Sequence, residues 1–332
     1  MFGRRWNPVT DIPDLTGRVA IVTGANIGLG YQTALQLANH GATVYLTTRS
    51  EAKALDTIKR LEEANPSLTD SGRLRWLELD LTLVHNAKAA AEEFLKKEAR
   101  LDILVNNAGQ MAADFEVTAE GLSHIMASDH VSPFAFTTAL LPLLEKTARL
   151  PDADVRVVTI SSIQHSYAPT STKFVTPADF RDMCGPEESV NSSILQQTAR
   201  YGQAKLANIL FARELQRRWD AAGIPGISIS LHPGVVHTAG AERVARSFGA
   251  GILWPLVTLF IMTPPQGAIT QLFAATSPDV RQNVEKYKGQ YLVPYGSVAT
   301  PSAMARREGL AEELWNLSEK VVQEILEKGK ID

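Results

Sequence analysis

Seven short apolar runs rich in β-branched residues recur along the chain, at 19–22, 43–46, 74–79, 101–105, 155–160, 227–231 and 291–293. Unbroken apolar character over so few residues suits a strand covered on both faces, where neither side needs polar groups. Between the runs lie stretches of helical periodicity near 28–40, 51–64, 84–99, 118–148, 198–221 and 264–276, with another near 309–329. Strands that alternate with helices connect by right-handed crossovers and build a parallel sheet with helices on both faces. The expected fold is therefore α/β, a doubly wound, Rossmann-type sheet. The 332 residues suffice for one large domain of this kind, with its core at 15–295. No internal repeat, linker or shift in composition marks a second. Two stretches break the rhythm, 163–197 and 238–262. Long irregular segments in a compact fold are usually functional, so these are the expected substrate loops.

The first run leads directly into Thr23-Gly24-Ala25-Asn26-Ile27-Gly28-Leu29-Gly30, which opens a helical stretch. Glycines there let the backbone turn tightly and approach a pyrophosphate, while the helix N-terminus supplies N–H donors and positive potential. Gly24, Asn26, Ile27, Gly28, Leu29 and Gly30 are thus candidate dinucleotide contacts. The spacing departs from the common G-x-G-x-x-G, with three residues between the first two glycines. At the end of the second run, Thr48 stands where an acid would hold the ribose of NAD, and Arg49 and Ser50 follow. A guanidinium fork beside a hydroxyl suits the extra phosphate of NADP(H), the expected cofactor. Asp80 and Leu81 end the third run, beside the expected adenine. Asn106-Asn107-Ala108-Gly109 ends the fourth, where small residues let a cofactor lie close.

Tyr201 and Lys205 are one helical turn apart, and Ser161-Ser162 end the fifth run about forty residues earlier. A nearby ammonium favours phenolate, so the lysine is expected to lower the phenol pKa and allow proton exchange with a carbinol oxygen. A serine hydroxyl at a strand end can hold that oxygen.

Taken in order, the glycine turn, Asn106-Asn107-Ala108-Gly109, Ser162, Tyr201-x-x-x-Lys205 and Pro233-Gly234 resemble the short-chain dehydrogenase/reductase family over about residues 15–295. Tyr201–Phe211 with His232–Val236 is similar to its retinol-dehydrogenase-like and WW-domain-oxidoreductase-like branch, though no WW domain is visible. The resemblance implies an NADP(H)-dependent enzyme, such as a carbonyl reductase, acting on a lipophilic alcohol/carbonyl pair. It implies Tyr201 as general acid/base and Lys205 as the ligand of the nicotinamide ribose. Ser162, second of the pair in the family register, would orient the substrate oxygen, ahead of Ser161. Asn107, Ala108 and Gly109 would line the cofactor. Pro233, Gly234, Val235 and Val236 would border the nicotinamide, with Thr238 reaching its carboxamide. One position departs: Asp129 falls where the family commonly has an asparagine whose backbone carbonyl holds a proton-relay water. If that relay survives through the backbone, Asp129→Asn should keep turnover within about tenfold. A carboxylate turned inward would instead favour charged Lys205.

A net charge of −3 and the lack of a basic cluster give no reason to expect nucleic acid. The single cysteine, Cys184, and the lack of a leader-like apolar run near the start favour a cytoplasmic setting. The run 248–262 is too short and too rich in proline to span a membrane, and is read as a lid over a greasy substrate. Trp254 and Phe260 leave a peripheral membrane contact open. Stretch 309–329 is amphipathic, suited to packing on the body or on a second copy in a homo-oligomer. His165, in a polar loop, reads as solvated, and His130, His232 and His237 as structural. No metal-ligand spacing stands out. A second reading, a nucleotide-binding interaction or regulatory protein without turnover, would use the same fold.

Overall fold

The structure, a computed structural model, describes residues 6–110, 114–236 and 261–328. Its strands are β1 (Val19–Val22), β2 (Thr43–Thr48), β3 (Leu74–Glu78), β4 (Ile103–Asn106), β5 (Arg156–Ile160), β6 (Ile227–Leu231), β7 (Tyr291–Val293) and β8 (Ser297–Ala299). They form one sheet in the order β3-β2-β1-β4-β5-β6-β7-β8. Every neighbouring pair is parallel except β7–β8. The principal helices are α1 (Gly28–Asn39), α2 (Glu51–Ala64), α3 (Val84–Lys97), α4 (Ser132–Ala148), α5 (Ile194–Ala221), α6 (Pro264–Thr276) and α7 (Leu310–Lys328).

Side chains alternate along a strand, so β1 feeds two cores at once. Ala20 and Val22 pack with Leu37 of α1, Leu61 of α2 and Leu272 of α6. Val19 and Ile21 belong to the opposite core, with Phe94 of α3, Phe136 of α4 and Leu210 of α5. This is the doubly wound arrangement that the alternating pattern predicts.

Capping chemistry explains the helices whose limits match the sequence expectation. Ser50 accepts from the Lys53 N–H at 3.3 Å and starts α2, and Pro66 follows its end. Thr263 and Gln266 form a capping box ahead of α6, with Pro264 in its first turn. Elsewhere the limits shift. α5 begins at Ile194, four residues before the expected 198, because Ser193 caps it through the Gln196 N–H. The expected helix 118–148 starts only at His124. Ahead of it, Thr118 and Leu122 close a turn through a 2.8 Å backbone bond. From there the helix passes through a π-helical turn, Ala127–Val131, into α4. β8 has no counterpart in the expected strands; it is three residues long, with Ser297 and Val298 exposed.

The 163–197 segment lies on the body as short 3₁₀ turns, with Phe174 and Phe180 buried beneath it. α7 covers α5 and α3 with Leu314, Trp315, Leu317, Val321 and Ile325. Trp315 stacks on Phe211 at 5.8 Å and meets the edge of Phe134 at 5.0 Å. Each such buried side chain contributes about 1.5–3 kcal/mol. The amphipathic tail is thus docked on its own body. Among the described residues, no helix is long and apolar enough to cross a membrane.

Candidate active site

The strand order reverses between β1 and β4, and ligands of open α/β sheets bind at the carboxyl ends of strands at such a point. Here the two ends are tied together. Thr23 Oγ1 accepts from the N–H groups of Asn107 and Ala108 at 2.9 and 2.8 Å, and Asn107 Nδ2 donates to the Thr23 carbonyl at 2.8 Å. Asn107, expected to line the cofactor, therefore acts at least as a strut beneath the turn. Gly24 and Gly28 have φ of +64° and +59°, backbone states that disfavour a side chain. A Cβ on Gly30 would lie 2.5 Å from the Gly24 carbonyl oxygen and 2.6 Å from Asn107 Nδ2, so only glycine lets α1 start this close to β4. A Cβ on Gly28 would meet nothing within 4 Å, leaving space above the turn.

Other expected contacts surround this space. Ile27, before α1, is 59% exposed. Arg60 of α2 holds the turn from outside, donating to the Asn26 carbonyl at 2.8 Å. Nothing in the sequence marks that arginine. Arg49 is exposed at the end of β2, and Thr48 Oγ1 donates to the Ser50 carbonyl at 2.8 Å. Asp80 accepts from the Thr82 N–H at 3.0 Å, shaping the turn in which Leu81 is buried. Pro233-Gly234-Val235-Val236 follow β6, and the chain returns with the Met262 N–H donating to the Val235 carbonyl at 2.8 Å. Leu29 and Val236 converge on Gly267 of α6, where a Cβ would lie 2.6 and 2.5 Å from them. The glycine turn and the segment after β6 thus meet at the start of α6.

A short series of contacts runs from the turn to the tyrosine. A Cβ on Gly24 would lie 3.0 Å from Ala108 Cα, and one on Gly109 only 2.8 Å from Lys205 Nζ. Lys205 and Tyr201 share a face of α5, the ammonium 5.3 Å from the ring centroid. Ser162 is half-buried at the end of β5, its hydroxyl near enough to the Tyr201 phenol to lower its pKa. Ser161 points the other way: its hydroxyl is buried and donates to the Lys205 carbonyl at 2.7 Å, fastening α5 to the sheet. Of the two serines, Ser162 is the one that acts on the phenol's ionisation.

Asp129 turns its carboxylate inward. Oδ2 pairs with Lys205 Nζ at 2.8 Å, both side chains almost wholly buried. Oδ1 accepts from the Gln110 N–H at 2.7 Å and the Ser128 hydroxyl at 2.8 Å. The π-helical turn carries this residue, and such turns often re-aim a side chain at a site. Burial opposes charge on Lys205, but Asp129 and Tyr201 together offset this and hold the ammonium above its ordinary pKa. Tyr201 departs from expectation. Burial raises its pKa, Lys205 lowers it, Asp129 raises it and the Ser162 bond lowers it, leaving it above the ordinary tyrosine value. The spacing of Tyr201 and Lys205 reveals only the second of these effects.

His165 also departs from expectation. Rather than being solvated it is buried, its Nδ1 2.7 Å from the Ser162 carbonyl and its Nε2 accepting from the Ser302 N–H at 2.9 Å. It links the serine's backbone to a segment 137 residues away, and burial pushes its pKa down. His130 is buried against Ser318, its pKa pushed down to about 3 by burial. Burial and His165 bring His232 to about 4. No acidic, histidine or cysteine cluster suited to a metal occurs among the described residues. Thr238, His237 and nearly all of 248–262, including Trp254 and Phe260, lie outside the described residues.

A family model for short chain dehydrogenases matches residues 18–172. A short-chain dehydrogenase/reductase of Colletotrichum higginsianum is 44% identical over 315 residues, covering 95% of this chain and 77% of its own length. The chain belongs to the short-chain dehydrogenase/reductase family. The chain is also 34% identical to retinol dehydrogenase 11 of Homo sapiens, over 93% of the chain and 87% of that protein, in keeping with the retinol-dehydrogenase-like branch. Among solved structures, an uncharacterized protein of Mycobacterium paratuberculosis is similar at TM-score 0.69 and 28% identity, covering 96% of this chain and 97% of its own. A Pseudomonas aeruginosa enzyme solved with NADP has the same fold at TM-score 0.61 and 23% identity, over 88% and 99% of the two chains.

Proposed function

We propose that this protein is an NADP(H)-dependent oxidoreductase interconverting a lipophilic alcohol and its carbonyl, in a single dinucleotide-binding and catalytic domain. The reading rests on the convergence of Ser162, Tyr201 and Lys205 beside a glycine turn with open space above it. The glycine turn and the start of α1 would hold the pyrophosphate, Arg49 and Ser50 the adenosine phosphate, and Lys205 the nicotinamide ribose. When bound, the nicotinamide supplies or accepts the hydride. Tyr201 gives the substrate oxygen its proton or takes it, while Ser162 and the phenol hydrogen-bond the charge that develops there.

A lipophilic substrate suits the surroundings. Ile163, next to Ser162, is 51% exposed, and Tyr167, Leu195 and Val235 are also exposed. A cavity of about 610 Å³ lies between the segment after Ser162 and the start of α5, lined by Tyr167, Pro169, Leu195 and Ala199 together with the polar Gln164, Gln196 and Thr198. We further infer a reducing, intracellular setting, with which the single cysteine, Cys184, is in keeping. The test is NADPH fluorescence on binding, followed by NADPH consumption with a panel of long-chain and aromatic aldehydes and ketones. Turnover that favours apolar substrates, and NADPH over NADH, supports the reading. Binding without turnover across the panel contradicts it and points to a regulatory protein instead.

A further inference from the structure

The buried carboxylate beside Lys205 changes what the phenol experiences. A lysine standing alone in a dry site leaves a full positive charge 5.3 Å from the tyrosine ring and favours phenolate. Here the Asp129 carboxylate lies 2.8 Å from that ammonium. Bonds from Gln110 and Ser128 hold it in place, and Gly109 packs so closely over the pair that a methyl group would strike both partners. The pair presents little net charge to Tyr201, and burial then decides in favour of the neutral phenol. Lys205 and Asp129 are the charged groups acting on the phenol among the described residues. His165, on the other side of Ser162, is engaged by Ser302. Arg200, next to Tyr201 on α5, donates to the Val190 carbonyl.

We propose that Asp129 is a positioning residue which, through its ion pair with Lys205, keeps Tyr201 in its proton-donating form and so fits the site to carbonyl reduction. The inference rests on the acid/base reading of Tyr201 given above. In reduction, the carbonyl carbon gains a hydride from NADPH and the carbonyl oxygen gains the Tyr201 proton, forming C–H and O–H bonds as the C=O π bond breaks. NADPH is oxidised to NADP⁺, and the phenolate is reprotonated from solvent. Alcohol oxidation needs the phenolate at the outset, which this environment makes scarce near neutrality.

The test compares wild type, Asp129→Asn and Asp129→Glu. One readout is the pH profile of kcat/KM for alcohol oxidation with NADP⁺. The other is a tyrosinate absorbance titration of the cofactor-free protein, taken as a difference against Tyr201→Phe. With Asp129→Asn, the rising limb of oxidation should move down by at least about one pH unit, raising oxidation at pH 7 about tenfold. The Tyr201 ionisation should move with it. Asp129→Glu keeps the charge, so its rising limb should lie closer to wild type than that of Asp129→Asn. Coincident profiles for wild type and Asp129→Asn overturn the proposal, provided Tyr201→Phe is inactive. Full activity in Tyr201→Phe overturns the underlying reading instead. If Asp129→Asn does not fold, the wild-type titration decides. Ionisation of Tyr201 above the ordinary tyrosine range supports the proposal, and ionisation below neutrality overturns it.

Discussion

Ser161 and Ser162 are adjacent in sequence but face opposite environments, so alanine at each should give opposite phenotypes. Ser161 is buried and donates a 2.7 Å bond to the Lys205 carbonyl. That carbonyl sits mid-helix in α5 and keeps its intrahelical donor, so Ser161→Ala leaves no buried acceptor unpaired. The expected loss is one ordinary hydrogen bond, about 1 kcal/mol, read as a lower urea midpoint with an unchanged slope. Because α5 is fastened elsewhere as well, including by Asn208 Nδ2 to the Ile160 carbonyl at 2.9 Å, turnover should fall by no more than about threefold, less than 1 kcal/mol of barrier. Ser162→Ala removes the hydroxyl that lowers the phenol's pKa and accepts from the Gln164 N–H at 3.2 Å. Its stability cost is similar, about 0.5–2 kcal/mol for a lost cap. Turnover, however, should fall by about a hundredfold or more, the size of losing one donor to the reacting oxygen. NADPH fluorescence should titrate normally in both variants. If Ser161→Ala lost as much turnover as Ser162→Ala while still binding NADPH, the division of labour between the serines would be wrong.

Arg49→Ala should raise the KM for NADPH about tenfold or more and leave NADH little changed, as expected for losing a charge-assisted contact to the extra phosphate. Equal effects on both cofactors would remove Arg49 from that role. Gly30→Ala would force a methyl group against the Gly24 carbonyl and the Asn107 amide, so NADPH affinity should drop as stability falls by about 1–3 kcal/mol. Unchanged NADPH titration would contradict the tight approach of α1 to β4. Asp154 is burdened by burial, but Arg156 and Arg281 hold its carboxyl below the ordinary range. A depressed pKa stabilises the fold above the unfolded carboxylate value and loses that contribution as pH falls through the folded one. Acid unfolding should therefore sharpen below about pH 4. Asp154→Ala, which strands the buried Arg156, should cost about 3–5 kcal/mol in urea denaturation at neutral pH. A cost under about 1 kcal/mol would mean that solvent already satisfies that arginine.

The sheet was legible because its signals are local. The seven apolar runs became β1 to β7, and Ser50 and Thr263 mark where α2 and α6 begin. Where local signals are weak, the reading shifted. Ile194 and Leu195 are exposed apolar residues at a helix start, so periodicity misses the turn that Ser193 caps. β8 is too short and too exposed to show a pattern. At the site, the residues to examine were visible, but their environments were not. His165 is buried and held by the N–H of Ser302, far away in sequence. The inward aim of Asp129 depends on a π-helical turn that no spacing rule anticipates. The rise in Tyr201 pKa comes first from burial and in part from that carboxylate, both products of tertiary packing.

In the proposed reaction, the phenol of Tyr201 handles the substrate proton beside a bound nicotinamide. Tyr201→Phe tests it in one variant, by measuring NADPH affinity from fluorescence and kcat with the best carbonyl substrate. Affinity should stay within about threefold of wild type while kcat falls at least about a hundredfold, the size of a lost acid/base group. Undiminished kcat in a variant that still binds NADPH would contradict the account.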